Sequence, residues 1–167
     1  LYKVASADLI HFPLIERLLE ERTPLLLSTG MSTLDEVDET AAFLDHRRAS
    51  FALLHCQSTY PASVDTLNLA MIPKLRHRYG VPVGYSGHEL GITNTIAAVA
   101  LGASVIERHI TLDRTLAGPD HSSSLEPAVF ALLVKGIREY EIAYGVPVRR
   151  ISRGEVGNRL TLRKSLV

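Results

Sequence analysis

Cysteine occurs once in the 167 residues, at Cys56, and tryptophan does not occur at all. A single thiol excludes an intrachain disulfide framework and fits a reducing compartment, so a cytoplasmic setting is expected. The sequence also lacks any run of about 18 apolar residues, which argues against a membrane-spanning helix. Net charge is missing too: 18 Lys and Arg balance 18 Asp and Glu. No global field therefore draws the chain to nucleic acid or to an anionic membrane, and Arg149-Arg150 and Arg163-Lys164 are too sparse to build such a site. No Gly-x-Gly-x-x-Gly follows the first apolar run and no Gly-Lys-Thr loop occurs, which removes the best marker of the nucleotide-binding open sheets. The opening Leu-Tyr-Lys-Val-Ala-Ser has neither an initiator methionine nor a basic-then-apolar leader, and the chain is expected to be cut from something longer.

What remains is a globular composition, 46% hydrophobic and 22% charged, at the length of one domain able to bury a real core. Apolar runs alternate with helical patterns. Strands are expected over Leu1 to Ser6, Pro24 to Ser28, Phe51 to Cys56, Val83 to His88 and Val105 to Thr111. Between them the spacing predicts helices from about Leu14 to Glu21, from a capping-box signal at Thr33 to Glu36, from Leu69 to Tyr79, from Thr95 to Leu101 and from Glu126 to Ala143. Gly102 is placed to end the fourth of these in the left-handed conformation. From Gly145 onward no period is clear, and Arg163-Lys164-Ser165 reads as linker.

Five strands alternating with five helices predict a parallel α/β protein, either an open doubly wound sheet or part of an eight-stranded (β/α)8 barrel. Each strand carries a polar residue at its C-terminal end: Ser6 and Asp8, Ser28, Ser58, Ser86 and His88, and His109. That is how a barrel presents an active site, although serine alone also favours turns. His88 and His109 close consecutive strands of one strand–helix–strand unit, so they are expected to sit side by side on one face. With Glu107 and Asp120 near, the pair suits a divalent metal. Two hydrogen-bonded loop-edge histidines satisfy the same spacing. His55 and Cys56 are expected to pack, and His11, His46 and His77 to be solvated.

Six motifs carry a resemblance over essentially the whole chain, in order and at matching spacing. They are Lys3-Val-Ala-Ser6-Ala-Asp8, Leu27-Ser-Thr-Gly-Met31, Leu54-His-Cys-Gln-Ser-Thr-Tyr-Pro61, Gly84-Tyr-Ser-Gly-His88, Ile106-Glu-Arg-His-Ile-Thr111 and Gly118-Pro-Asp-His121. The sequence resembles the sialic acid synthases, the N-acetylneuraminate synthase family with its legionaminic and pseudaminic relatives. The resemblance implies strands four to eight of a TIM barrel over residues 1–145, then a linker over 146–167 towards an absent antifreeze-like (SAF) domain. It implies a transferase that condenses phosphoenolpyruvate with N-acetylmannosamine, its 6-phosphate or a related acylated amino sugar, and releases phosphate.

By the same resemblance His88 and His109 bind the metal, Mn2+ or Mg2+. Lys3, Ser6, Ser28, Ser58 and Ser86 grip phosphoenolpyruvate, and Tyr60 and Asp120 lie near the sugar. Asp8 is implied as a catalytic carboxylate, standing where some members have glutamate, and Glu107 as a group orienting a ligand or water. Ser58 replaces an asparagine of some members, and Gly87 an aspartate common in bacterial ones. The implied parent is a domain-swapped homodimer whose missing strands supply a catalytic glutamate and whose neighbouring subunit supplies an arginine. Two alternatives stand beside this: another phosphoenolpyruvate-dependent aldol synthase making a keto-deoxy sugar acid phosphate, and a barrel fragment without activity of its own.

Overall fold

A computed structural model of the chain describes residues 1–164. Five strands, β1 (Tyr2–Val4), β2 (Leu25–Ser28), β3 (Phe51–Cys56), β4 (Val83–Gly87) and β5 (Ile106–Arg108), form one parallel sheet in the order β1-β2-β3-β4-β5. The connecting helices are α1 (Phe12–Leu19), α2 (Leu34–His46), α3 (Met71–Tyr79) and α4 (Thr93–Ala100), followed by α5 (Pro127–Tyr144) and α6 (Arg153–Leu162). An order that never reverses has no switch point, so crossovers of one hand stack the connecting helices α1 to α4 on one face of the sheet. This excludes the doubly wound alternative.

The register sorts the strand residues into two faces, because side chains alternate and paired residues in neighbouring strands point the same way. One face carries the aligned set Val4, Leu27, Leu53 and Val83, together with Leu25 and Phe51 and with Tyr85. These meet Ile15, Val37, Ala41, Leu44, Ile72, Leu75 and Ala98 from the helices in one buried cluster. Each fully buried leucine in it contributes about 1.5–3 kcal/mol relative to exposure. The opposite face carries Lys3, Leu26 and Ala52, then Ser28, Leu54 and Gly84, then Cys56, Ser86 and Glu107. It turns polar towards the C-terminal strand ends.

That second face is concave. In a flat sheet β1 and β5 would lie about 19 Å apart, four spacings of roughly 4.8 Å, beyond the joint reach of a lysine and a glutamate. Yet Lys3 Nζ on β1 lies 3.7 Å from Glu107 Oε2 on β5. The sheet therefore curls into an open half-barrel, with β1 and β5 as its two edges.

Local chemistry explains most boundaries. Thr33 and Glu36 form the expected capping box on α2. After α4, Gly102 adopts φ +99° and donates to the Val99 carbonyl while Ala103 donates to that of Ala98, a double closure that needs a left-handed residue. Helix α1 starts two residues earlier than the spacing predicts, with Pro13 in the first turn, where its missing N–H is not needed. Strand β5 is shorter than predicted: past Arg108 the backbone leaves β4, and His109 and Thr111 hydrogen-bond instead to Leu125. Helix α6 lies in the segment where the sequence shows no clear period. It is opened by a Ser152–Glu155 capping box but buries no residue, so it has no apolar stripe to betray a period. Arg163 and Lys164 lie beyond it in non-helical chain, and Ser165 falls outside the described residues. Among the described residues no helix is long and apolar enough to cross a membrane.

His55 packs, as expected: its Nε2 lies 2.7 Å from the Leu67 carbonyl. Burial pushes its pKa below the ordinary 6.5, opposed by that carbonyl. The unfolded chain thus takes up this proton more readily than the folded one, so the stability held by the neutral ring is complete above pH 6.5 and is lost as pH falls below it. Urea midpoints are expected to fall between about pH 7.5 and pH 5.5, and to fall less in His55→Gln, which still donates to Leu67 but does not titrate in this range.

Candidate active site at the strand ends

The concave face opens at the C-terminal ends of the strands into a cavity of about 350 Å³. Lys3 comes from β1 and Ser6 from the turn after it, Ser28 from β2, and Cys56 from β3, with Ser58 and Tyr60 from the following loop. Ser86 and Glu107 point in from β4 and β5, and His88 and His109 stand just past their ends. All the site residues expected from sequence therefore meet in one cavity except Asp8 and Asp120. Asp8 instead faces His11, its Oδ1 3.8 Å from Nδ1, with the side chain 44% exposed. Asp120 stands at the rim, its Oδ2 4.0 Å from His109 Nδ1. His121 is 2.7 Å from Thr111 Oγ1 and braces the loop rather than lining the cavity.

The two imidazoles have their ring centres 5.3 Å apart, and the Tyr60 ring lies against both, at 4.2 Å from His88 and 5.6 Å from His109. His88 Nδ1 lies 2.7 Å from the Gln57 carbonyl, an acceptor with no proton of its own, so Nδ1 carries the hydrogen and Nε2 presents a lone pair. Burial is the main cause holding the His88 pKa below its ordinary value, with His109 adding to it, which keeps the ring neutral at pH 7. Ser86 Oγ sits 3.4 Å from that Nε2 but donates its proton to Glu107 Oε1 at 2.7 Å. A nitrogen and an oxygen thus face each other with lone pairs and no hydrogen between them. This electron-rich corner suits a divalent cation, for which neutral imidazole is a favoured ligand. Among the described residues no group of three His, Cys, Asp or Glu side chains converges, so such an ion would keep positions for water or a ligand.

The opposite wall is built to receive an anion. Lys3 brings the one ammonium among the described residues of the lining, shared with Glu107 and the Val4 carbonyl, and hydroxyls come from Ser6, Ser28 and Ser58. Burial, followed by the neighbouring acidic groups, raises the Tyr60 pKa, so its hydroxyl remains a donor at neutral pH. Sequence reasoning missed two features here. Cys56 was expected only to pack, but its Sγ lies 3.2 Å from Ser6 Oγ on the cavity wall. Strand alternation carries the signal, since Cys56 shares its face with Ser86. Gly30, whose N–H donates to Ser6 Oγ at 3.1 Å, was missed as well. A Cβ there would lie 2.1 Å from Ser58 Oγ, 2.7 Å from Cys56 Sγ and 2.8 Å from Ser6 Oγ.

Beneath the histidines lies a second missed group, the fully buried pair Glu89 and Arg108, 3.1 Å apart. Glu89 also accepts from the Tyr85 hydroxyl and from Thr95 Oγ1, each at 2.9 Å. Desolvation lowers the Arg108 pKa, with the carboxylate of Glu89 opposing it, and the guanidinium stays charged.

A curled parallel α/β half-barrel with a polar, histidine-bearing cavity at the C-terminal strand ends has the architecture of part of a (β/α)8 barrel, a fold that carries its sites at that end. Residues 1–149 match the NeuB family, and the chain belongs to it. It is 40% identical over 167 residues to human N-acetylneuraminate-9-phosphate synthase, covering 99% of this chain and 46% of that protein. It is 38% identical over 170 residues to N,N'-diacetyllegionaminic acid synthase of Campylobacter jejuni, covering 100% of this chain and 51% of the relative. The crystal structure of N-acetylneuraminic acid (sialic acid) synthetase from Leptospira borgpetersenii, solved with citrate, superposes with a TM-score of 0.84 at 34% identity over 98% of this chain and 58% of that one. The chain spans about half the length of the curated relatives it matches.

Gly30→Ala is expected to overpack the Ser6–Cys56–Ser58 cradle at a cost of about 1–3 kcal/mol. That should lower Tm by several degrees, at roughly 2–4 °C per kcal/mol. Adding Ser58→Gly, which removes the hydroxyl nearest the new methyl, should restore part of the loss in thermal denaturation of the single and double variants.

Proposed function

We propose that this chain supplies strands four to eight of the catalytic barrel of a nonulosonic acid synthase. That enzyme condenses phosphoenolpyruvate with the open-chain aldehyde of N-acetylmannosamine, its 6-phosphate or a related acylated amino sugar. The observation that carries the reading is the convergence of Lys3, the four strand-end serines and the histidine pair on one cavity, in a chain of the NeuB family. The names of its relatives support the product class.

In this reading Lys3 and the hydroxyls of Ser6, Ser28 and Ser58 hold the phosphate and carboxylate of phosphoenolpyruvate, and Ser86 joins them when its hydroxyl turns from Glu107. A point charge plus several small donors suits two anionic groups better than one planar fork would. Carbon 3 of the enol attacks the aldehyde carbon, whose oxygen takes up a proton to become a hydroxyl. Water adds at carbon 2, and the tetrahedral intermediate expels inorganic phosphate to leave the 2-keto acid. Glu107 is the carboxylate within the lining. Tied to Lys3 and Ser86, it orients the attacking water and takes its proton. Tyr60 and Asp120 face the sugar hydroxyls at the rim. His88 and His109 would hold Mn2+ or Mg2+, which when bound polarises the aldehyde oxygen. Asp8, turned towards His11, stands outside the lining and takes no proton in this scheme.

The test is phosphate release from phosphoenolpyruvate by the full-length protein, with and without Mn2+, offered N-acetylmannosamine, its 6-phosphate and arabinose 5-phosphate in turn. Metal-dependent release with either mannosamine is expected. Release only with arabinose 5-phosphate would move the protein to a keto-deoxy sugar acid phosphate synthase. The isolated chain, with two open sheet edges and half of a barrel, should be at least about 100-fold slower, because groups acting as a unit lose far more than their share when divided. Lys3→Met should raise KM for phosphoenolpyruvate by about tenfold or more, the scale of a lost charge-assisted contact of about 1.5–3 kcal/mol.

A further inference from the structure

The pairing of β4 with β5 ends at Gly87 and Arg108, so the next residue on each strand, His88 and His109, lies past the last ladder pair. Backbone hydrogen bonds between the two strands therefore do not fix the separation of the histidines. The Arg108 side chain bridges the gap. It turns back towards β4 and donates from Nη2 to the Glu89 carbonyl at 2.6 Å and from Nη1 to the Gly91 carbonyl at 3.0 Å. Those acceptors belong to the segment that follows His88. Glu89 Oε1 then fixes the guanidinium itself at 3.1 Å, and Thr95 Oγ1 lies 2.6 Å from the same Nη1.

The two partners are the sequence neighbours of the two histidines, and neither side chain is exposed to solvent. Gly87 leaves them room: a Cβ there would lie 2.7 Å from Glu89 Oε2 and 3.0 Å from Arg108 Cδ.

We infer that Arg108, locked by Glu89, is a positioning residue that continues the β4–β5 pairing through its side chain and so sets the spacing of His88 and His109. The inference rests on the proposed reading of those histidines as the metal pair. Groups that orient ligands in this way typically contribute about 10- to 100-fold to metal affinity.

The test measures Mn2+ binding to the full-length protein by titration calorimetry, with Tm measured alongside. Arg108→Met keeps the length and removes the donors, and it should weaken Mn2+ by about 10- to 100-fold. Glu89→Gln loosens the guanidinium without emptying the site and should weaken Mn2+ less. Leu53→Ala, a core truncation on the helix-facing side of β3, serves as the stability control: it should lower Tm while leaving the affinity within about twofold, since distant sites act independently. Should Arg108→Met fail to fold, Arg108→Lys takes its place. One ammonium cannot serve both carbonyls in the guanidinium geometry, so about a tenfold loss is expected there too.

Unchanged affinity in the Arg108 variant, with binding abolished by His88→Asn, would overturn the inference and leave the metal reading standing. An equal loss in Leu53→Ala would also overturn it, by making the effect one of general stability. Wild-type protein that binds no Mn2+, or binds it equally with His88→Asn, would overturn the metal reading and this inference with it.

Discussion

Side-chain alternation along a curled parallel sheet is the constraint on which the molecule depends. Because the period is two, each strand presents one row to the helices and the other to the hollow of the arc. Leu25, Leu27, Leu53, Val83 and Tyr85 take the first role, while Lys3, Ser28, Cys56, Ser86 and Glu107 take the second. A slip of one residue in any strand would drive serines into the core and leucines into the cavity. The same rows that exclude water on one side gather hydroxyls and charges on the other.

The curvature gives the hollow face its chemistry. Only a bent sheet lets Lys3 on one edge meet Glu107 on the other, and that contact spans the floor of the cavity. Around it the donors and acceptors are already assigned: Ser86 gives its proton to Glu107, and the Gln57 carbonyl holds the proton of His88 on Nδ1. The faces left towards the cavity are lone pairs on the histidine side and hydroxyl and ammonium hydrogens on the lysine side. A cation at one end and an anion at the other are what such a division accommodates.

The buried Glu89–Arg108 pair has a different standing. Buried ion pairs are weak contributors to net stability, because desolvation offsets most of their attraction. Here Arg108 Nε is buried without a partner among the described residues, which costs about 1–3 kcal/mol more. What the pair supplies is geometry, at a place where the sheet ladder stops and the two histidines still have to be held.

Much of this was legible in the chain. Apolar runs announced five strands, Thr33 to Glu36 announced a helix start and Gly102 a helix end, because these signals are local and act through neighbouring backbone groups. Helix α6 was not legible, since a helix with no buried face leaves no stripe, and β5 was over-extended because Leu125, far along the chain, captures its second half. Nor could composition show that Cys56 and Gly30 belong to the cavity wall, or that Glu89 and Arg108 are partners. These facts depend on register, curvature and burial, which bring together residues distant in sequence. The residues by themselves determined the alternation of strands and helices and the polar ends that a site could use. Only the tertiary structure decided which side chains share the hollow and which carboxylate faces it, since both follow from how far the sheet bends.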